Sequence, residues 1–209
     1  MKTIQIANLD FDLHQGPVGC AVSGGADSAI MLYILMKNIE GPIHVYTCAN
    51  RIKHRVNPVI ALRVIGQLID LTGRDDIYHH SFFVETQTKT SLFSPLSAMI
   101  KQHNLNIMYT AGTALPPDRD LFDRTKFSSD NGLYTARNQN EQRPVYNGPY
   151  YSPWWNKDKR FIAEVYRQLD MAETLYPITR SCESLTQTEG HCGQCWWCEE
   201  RVWAFGKIN

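Results

Sequence analysis

Two groups of residues in this chain have the types and spacing to do chemistry. The first is Ser23-Gly24-Gly25-Ala26-Asp27-Ser28, set between the apolar run 17–22 and a helix-like apolar stretch, Ala29 to Met36. Successive glycines let the backbone turn tightly and approach a ligand, so several N–H groups can point at one anion. The helix that follows adds the positive end of its dipole. The two serine hydroxyls can donate to phosphate oxygens, and Asp27 can help hold a Mg²⁺ that neutralises them. The plainer alternative is a strand-to-helix turn capped by Ser or Asp, which needs a glycine but not the whole set. No Gly-Lys-Ser/Thr follows, so this is not a Walker A loop, and the Rossmann Gly-x-Gly-x-x-Gly spacing is absent.

The second group is four of the six cysteines. Cys182, Cys192, Cys195 and Cys198 follow the spacing C-x9-C-x2-C-x2-C. A Cys-x2-Cys turn brings two thiolates to one ion, and four thiolates suit a closed tetrahedral Zn²⁺ site of structural type. An iron–sulfur cluster is the competing reading, because Cys-x2-Cys-x2-Cys also occurs in ferredoxins. Two disulfides are a third, and His191 is a possible substitute ligand. Cys20 and Cys48 stand singly in apolar segments and read as small buried hydrophobes. Clustered cysteines in a chain without a secretion-type leader point to a reducing compartment, so a cytoplasmic location is expected.

The elements that must position these groups follow from the hydrophobic pattern. Residues 17–22 and 43–49 are short continuous apolar runs, the pattern of parallel strands buried on both faces. Residues 77–84 and 107–110 make two more strands, and 5–13 is ambiguous. Helices are expected from Ala29, over Asn57 to Leu71 with Gly73 closing it, and over Leu92 to His103. Strand and helix alternate four times, so the fold class is α/β with a doubly wound parallel sheet. The alternation stops over 114–156, a polar stretch rich in Tyr, Trp, Pro and Arg that reads as a long substrate-binding loop. Its aromatics can stack on a planar base or pack the loop onto the sheet. We divide the chain into a nucleotide-binding core, 1–156, and a helical, metal-binding C-terminal segment, 157–209.

Composition excludes several classes. With 21 Lys+Arg against 21 Asp+Glu the net charge is zero, which argues against a protein that coats a nucleic-acid backbone. The apolar runs fall far short of the roughly 20 residues that cross a bilayer, so no membrane partner is expected.

The loop Ser-Gly-Gly-x-Asp-Ser after a first strand resembles the signature of the PP-loop ATP pyrophosphatases. That resemblance implies an adenine nucleotide alpha-hydrolase-like fold, with ATP bound by Ser23, Gly24, Gly25, Ala26, Asp27 and Ser28, and adenylation of a substrate oxygen with release of pyrophosphate. Nucleotides in such sheets lie beyond the carboxyl ends of the strands at a switch point. This expectation puts Thr47-Cys48-Ala49-Asn50 and Ala111-Gly112-Thr113 near the adenosine and the acceptor, with Cys48, Asn50, Gly112 and Thr113 as ATP contacts.

A PP-loop joined to a C-terminal four-cysteine group resembles, more narrowly, the 7-cyano-7-deazaguanine (preQ0) synthase family, QueC. Pro153, Trp155, Lys157, Thr179, Ser181-Cys182-Glu183, Cys192-Gly193, Cys195, Cys198, Arg201 and Ala204-Phe205 carry that likeness. It covers residues 17–36 and 150–206, with weaker similarity from Arg51 to Gly73. It implies a homodimer with structural zinc that converts a carboxylated 7-deazaguanine (a deazapurine), ammonia and ATP into the nitrile. No nucleophilic side chain is then required. Arg51, Asp118, Arg119 and Lys157 are the expected substrate or phosphate contacts, though the basic group at Arg51, Lys53, His54 and Arg55 also reads as a solvated turn.

The middle departs from that family. Ser91-Leu92-Phe93-Ser94-Pro95-Leu96 replaces its Gly-Arg-Asn triplet, and Tyr46-Thr47-Cys48-Ala49-Asn50 replaces its Phe-Asp-Tyr-Gly-Gln. Residues 112–119 echo its Pro-Asp-x-Arg segment only in part. Two other readings therefore stand beside the first: a PP-loop enzyme adenylating RNA or another acceptor, and a nucleotide-binding module without turnover. His79 and His80, on the third strand, are assigned structural roles.

Overall fold

A computed structural model describes residues 1–50, 56–84, 89–116, 142–182 and 189–209, with the side chains of Asn50 and 89–94 left aside. The chain opens in a hairpin, β1 (Lys2–Ile6) and β2 (Leu9–Leu13), which resolves the ambiguous N-terminal segment. Its two-residue turn uses Ala7 and Asn8 at φ 45° and 61°, the left-handed pair that matches strand twist. Period-2 alternation buries Phe11 and Leu13 and turns Asp10 outward.

The main sheet has six strands in the order β5-β4-β3-β6-β8-β7. They are β3 (Val18–Ala21), β4 (Ile43–Asn50), β5 (Ile77–Val84), β6 (Ile107–Tyr109), β7 (Tyr146–Asn147) and β8 (Tyr150–Tyr151). All pairings are parallel except β7 with β8. β3 is central, and the chain leaves it first to one side and later to the other. That makes its carboxyl end the switch point of the sheet.

Helix α1 (Ala26–Asn38) follows β3 directly and buries nine residues, among them Ile30, Met31 and Leu32, because it is covered nearly all round. It begins three residues before the apolar pattern does. α2 (Asn57–Thr72) ends at Gly73, whose φ of 68° is the left-handed cap, with its N–H on the Ile69 carbonyl at 2.8 Å. α3 (Lys89–Gln102) precedes β6. α4 (Lys159–Gln168) starts at Asp158, whose carboxylate accepts from the Arg160 and Phe161 amides. A 3-10 turn over Tyr176–Ile178 leads toward α5 (Trp196–Phe205).

Of the stretch read as a long loop, residues 117–141 lie outside the described residues, and the described part, 142–156, contributes β7 and β8 and packs aromatics into the core. Trp154 and Tyr151 are buried in the main core with Phe11, Tyr109, Ile162 and Tyr166. Phe11 stacks on Tyr109 at 6.0 Å, and the Tyr109 and Tyr151 hydroxyls bond the backbone of β2 and the adjoining His14. Short strands of two residues give no clear periodicity, which is why the pattern missed them. Trp154→Ala should therefore lose about 3–5 kcal/mol of unfolding free energy in a urea titration. A loss below about 1 kcal/mol, the range of surface substitutions, would detach residues 142–156 from the core.

Candidate functional site

Val22 extends the central strand by one bond, its N–H on the Tyr46 carbonyl at 2.8 Å, and the chain then turns through Ser23 to Ser28. Gly24 sits at φ +86°, and a Cβ there would fall 2.6 Å from Ile60 Cγ2 and 2.9 Å from the Ala61 nitrogen. The loop is therefore pressed onto the first turn of α2, and only glycine fits. Ser28 Oγ accepts from the Ser23 amide at 3.2 Å and donates to the Gly25 carbonyl at 3.1 Å. Ser23 Oγ accepts from the Gly25 amide at 3.3 Å. Gly25 is the N-cap of α1 and offers no side-chain cap, so the first amides of that helix keep their donors for a ligand.

A cleft of about 330 Å³ opens beside this loop. Ser23, Gly25, Asp27 and Ser28 line it from the loop, Tyr46 and Cys48 from β4, Thr110 and Ala111 beyond β6. Burial pushes the Tyr46 phenol up to about 12 and the Cys48 thiol up to about 11. Both are neutral at pH 7. The cleft thus combines uncharged Tyr46 and Cys48 walls with a loop that offers amides and hydroxyls for an anion and the Asp27 carboxylate for a cation beside it.

Behind the loop lies a buried cation. Lys159 is 3% exposed, and its ammonium sits 2.5 Å from Asp27 Oδ2 and 3.8 Å from Glu200 Oε2. Asp27 Oδ1 is buried with no hydrogen-bond partner among the described residues. Helix geometry explains the placement: Lys159, Ile162, Ala163 and Tyr166 form the i, i+3, i+4, i+7 stripe that α4 buries. Tyr166 also reaches the loop, its hydroxyl on the Ala26 carbonyl at 2.9 Å.

The cysteines meet as the spacing requires. Sγ of Cys182, Cys192, Cys195 and Cys198 all lie within 4.8 Å of one another, with Cys195–Cys198 at 3.4 Å and Cys192–Cys198 and Cys195–Cys182 at 3.9 Å. A tetrahedron of sulfurs about 2.3 Å from Zn²⁺ has edges of about 3.8 Å, so the four fit that ion. None of the six cysteines is in a disulfide, which removes the two-disulfide reading. A hydrogen bond from Cys195, and then burial, hold the Cys198 thiol far above its usual range. A divalent cation supplies the countercharge that would let all four ionise. His191 is not in the group; burial, then Arg201 and Arg180, push it down to about 4.

The cysteine group touches the loop through its flanks. The Arg180 amide donates to the Gly24 carbonyl at 2.9 Å. Arg201, fully buried, bonds Thr179 Oγ1 at 2.9 Å and Ser181 Oγ at 3.4 Å and lies 4.0 Å over the Tyr176 ring. Glu200, next to it on α5, reaches Lys159.

The structure thus brings Ser23, Gly25, Asp27, Ser28 and Cys48 to one cleft, with Gly24 and Ala26 behind it. Gly112 and Thr113 lie outside the lining. Gly112 makes room for the Trp155 ring, 2.7 Å from where a Cβ would sit, and Thr113 is 6% exposed. Lys157 lies over the Phe161 ring at 5.4 Å, and Lys159 is the lysine that meets the loop. Arg51, Asp118 and Arg119 lie outside the described residues, as do Lys53, His54 and Arg55. Sequence reasoning missed Lys159, Glu200 and Tyr46. A lysine on the apolar stripe of α4 was the available signal for the first.

No family model matches the chain, and no curated protein matches it. Among solved structures, an NMN synthetase from Francisella tularensis is similar at a TM-score of 0.47 and 17% identity, over 92% of this chain and 77% of that one. An NH3-dependent NAD synthetase from Campylobacter jejuni subsp. jejuni is similar at a TM-score of 0.45 and 15% identity, over 77% of this chain and 66% of that one.

Removing Lys159 leaves the buried Glu200 carboxylate and the half-buried Asp27 carboxylate without their shared cation. Lys159→Met should cost about 3–5 kcal/mol in chemical denaturation. A variant as stable as the parent would mean that the three groups do not share one dry site.

Proposed function

We propose that this chain is an ATP-dependent adenylating ligase of the PP-loop type. The observation that carries the proposal is the complete Ser-Gly-Gly-x-Asp-Ser loop at the switch point of a mostly parallel sheet, opening on a cleft of about 330 Å³. In this reading, the first amides of α1 with the Ser23 hydroxyl take the β- and γ-phosphates and stabilise the charge that grows on departing pyrophosphate, while Ser28 braces the loop through the Ser23 amide and the Gly25 carbonyl. Asp27 Oδ1 fits a Mg²⁺ carried by those phosphates, while Lys159 fixes the other carboxylate oxygen. The loop that binds phosphate is itself held in place by α2 through Gly24.

The finer assignment is a preQ0-synthase-like reaction on a carboxylated 7-deazaguanine. A carboxylate oxygen attacks the α-phosphorus of ATP and pyrophosphate leaves. Ammonia then displaces AMP from the acyl adenylate and gives the amide. A second ATP activates the amide oxygen, which departs as AMP while the nitrogen loses its protons, leaving the nitrile. No side-chain nucleophile is consumed. Cys48, the thiol lining the cleft, is held neutral by its pKa of about 11 and is unsuited to covalent catalysis. The C-terminal likeness and the four clustered sulfurs support this substrate class over RNA, and zero net charge favours a small acceptor.

Incubation with ATP, ammonium and 7-carboxy-7-deazaguanine should release pyrophosphate and yield the nitrile by mass spectrometry, and Ser23→Ala or Asp27→Ala should slow it at least about a hundredfold. Full rate in either variant would remove the loop from the mechanism. Pyrophosphate release only with RNA or another acceptor would keep the ligase and replace its substrate. ATP binding without cleavage would leave the module without turnover. Elemental analysis should show that Cys198→Ser loses about one zinc per chain relative to the parent, because four thiolates in a closed set hold that ion. Brown protein containing iron would select the cluster instead.

A further inference from the structure

Three imidazoles meet away from the cysteines. Along β4, His44, Tyr46 and Cys48 share one face, and the register with β5 sets His44 opposite Tyr78 and Tyr46 opposite His80. His103 follows α3, its N–H on the Met99 carbonyl at 3.0 Å. It packs against both other rings, with centroids 4.5 Å from His44 and 4.7 Å from His80. One ring nitrogen of each lies within 4.8 Å of the other two, and His44 Nδ1 is 3.1 Å from His80 Nε2.

One hydrogen bond joins the facing nitrogens of His44 and His80, and it leaves His103 Nε2 buried with no partner among the described residues. Burial, with the neighbouring imidazoles adding to it, lowers the pKa of His44 and of His80, so both offer a lone pair at neutral pH. Converging neutral imidazoles suit zinc, copper and nickel rather than Mg²⁺ or Ca²⁺. Nitrogens bound to Zn²⁺ at about 2.0–2.1 Å stand about 3.4 Å apart, against 3.1 Å between His44 and His80 and no more than 4.8 Å to His103.

We propose that His44, His80 and His103 form a second transition-metal site, separate from the cysteine group, that binds Zn²⁺ with solvent in the remaining coordination position. The ion would pin the end of α3 to β4 and β5. Its neighbour Tyr46 stacks on His80 at 4.9 Å and lines the cleft beside the loop, as does Leu96 of α3. Occupancy would therefore brace one wall of that cleft.

Co²⁺ added to the protein as purified tests this. Imidazole-bound Co²⁺ gives visible d–d bands without the near-ultraviolet charge transfer that thiolate ligands add. We expect one such ion per chain at micromolar Co²⁺, displaced by Zn²⁺. Binding should weaken about tenfold or more in His80→Gln and in His103→Phe, with the far-ultraviolet circular dichroism unchanged. Absence of charge-transfer-free bands in the parent protein overturns the assignment, and so does undiminished binding in the variants. Should His103→Phe fail to fold, His80→Gln alone decides.

Discussion

The arrangement around the loop depends on one buried ammonium. Ions taken out of water are tolerated only where opposite charges meet them closely, and Lys159 meets two carboxylates, Asp27 and Glu200. Those three residues come from three different helices: α4, the first turn of α1, and α5. An exposed ion pair would let each helix drift. A cation buried as Lys159 is fixes the start of α1, and with it the loop, relative to the segment that carries the cysteines. Arg201 works in parallel from the next position on α5, holding Thr179 and Ser181 so that the Arg180 amide reaches Gly24. The cysteine group thus has a structural logic that is not confined to its own loop. Whatever draws the four sulfurs together also seats Glu200 and Arg201.

The sheet supplies the complementary constraint. A parallel strand buried on both faces has no freedom of register once its neighbours are in place. β3 therefore delivers residues 22–28 to the same point whatever surrounds them. The walls of the cleft are less determined. Tyr46 and Cys48 come from a strand, Thr110 and Ala111 from a strand end, and Leu96 from a helix that contains Pro95. The loop is thus the well-determined part of the site, and the cleft walls are the less determined part.

How much was legible in the sequence follows the same division. Continuous apolar runs announced β3 and β4, Gly73 announced the end of α2, and β5 spans 77–84 as expected. The glycine-rich loop and the cysteine spacing announced their own geometry, because each needs residue types that few other purposes require. Residues whose meaning depends on distant partners were harder. Lys157 and Lys159 look alike in sequence, and only the buried stripe of α4 separates a lysine over Phe161 from one paired with Asp27. Gly112 looked like a ligand-approach glycine but makes room for Trp155. β7 and β8 were invisible because two-residue strands exist only through the neighbours they pair with.

The bond from Arg180 to Gly24 joins backbone positions separated by most of the described chain. During synthesis the loop emerges early, with β3 and α1, and its closing partner emerges long after. Local helices and the first parallel pairs can form in the meantime, but closing so long a segment of chain is entropically slow. A nascent chain therefore passes through a stage with an assembled sheet and an open phosphate loop. The loop takes its final seat only when Arg180 has returned to it.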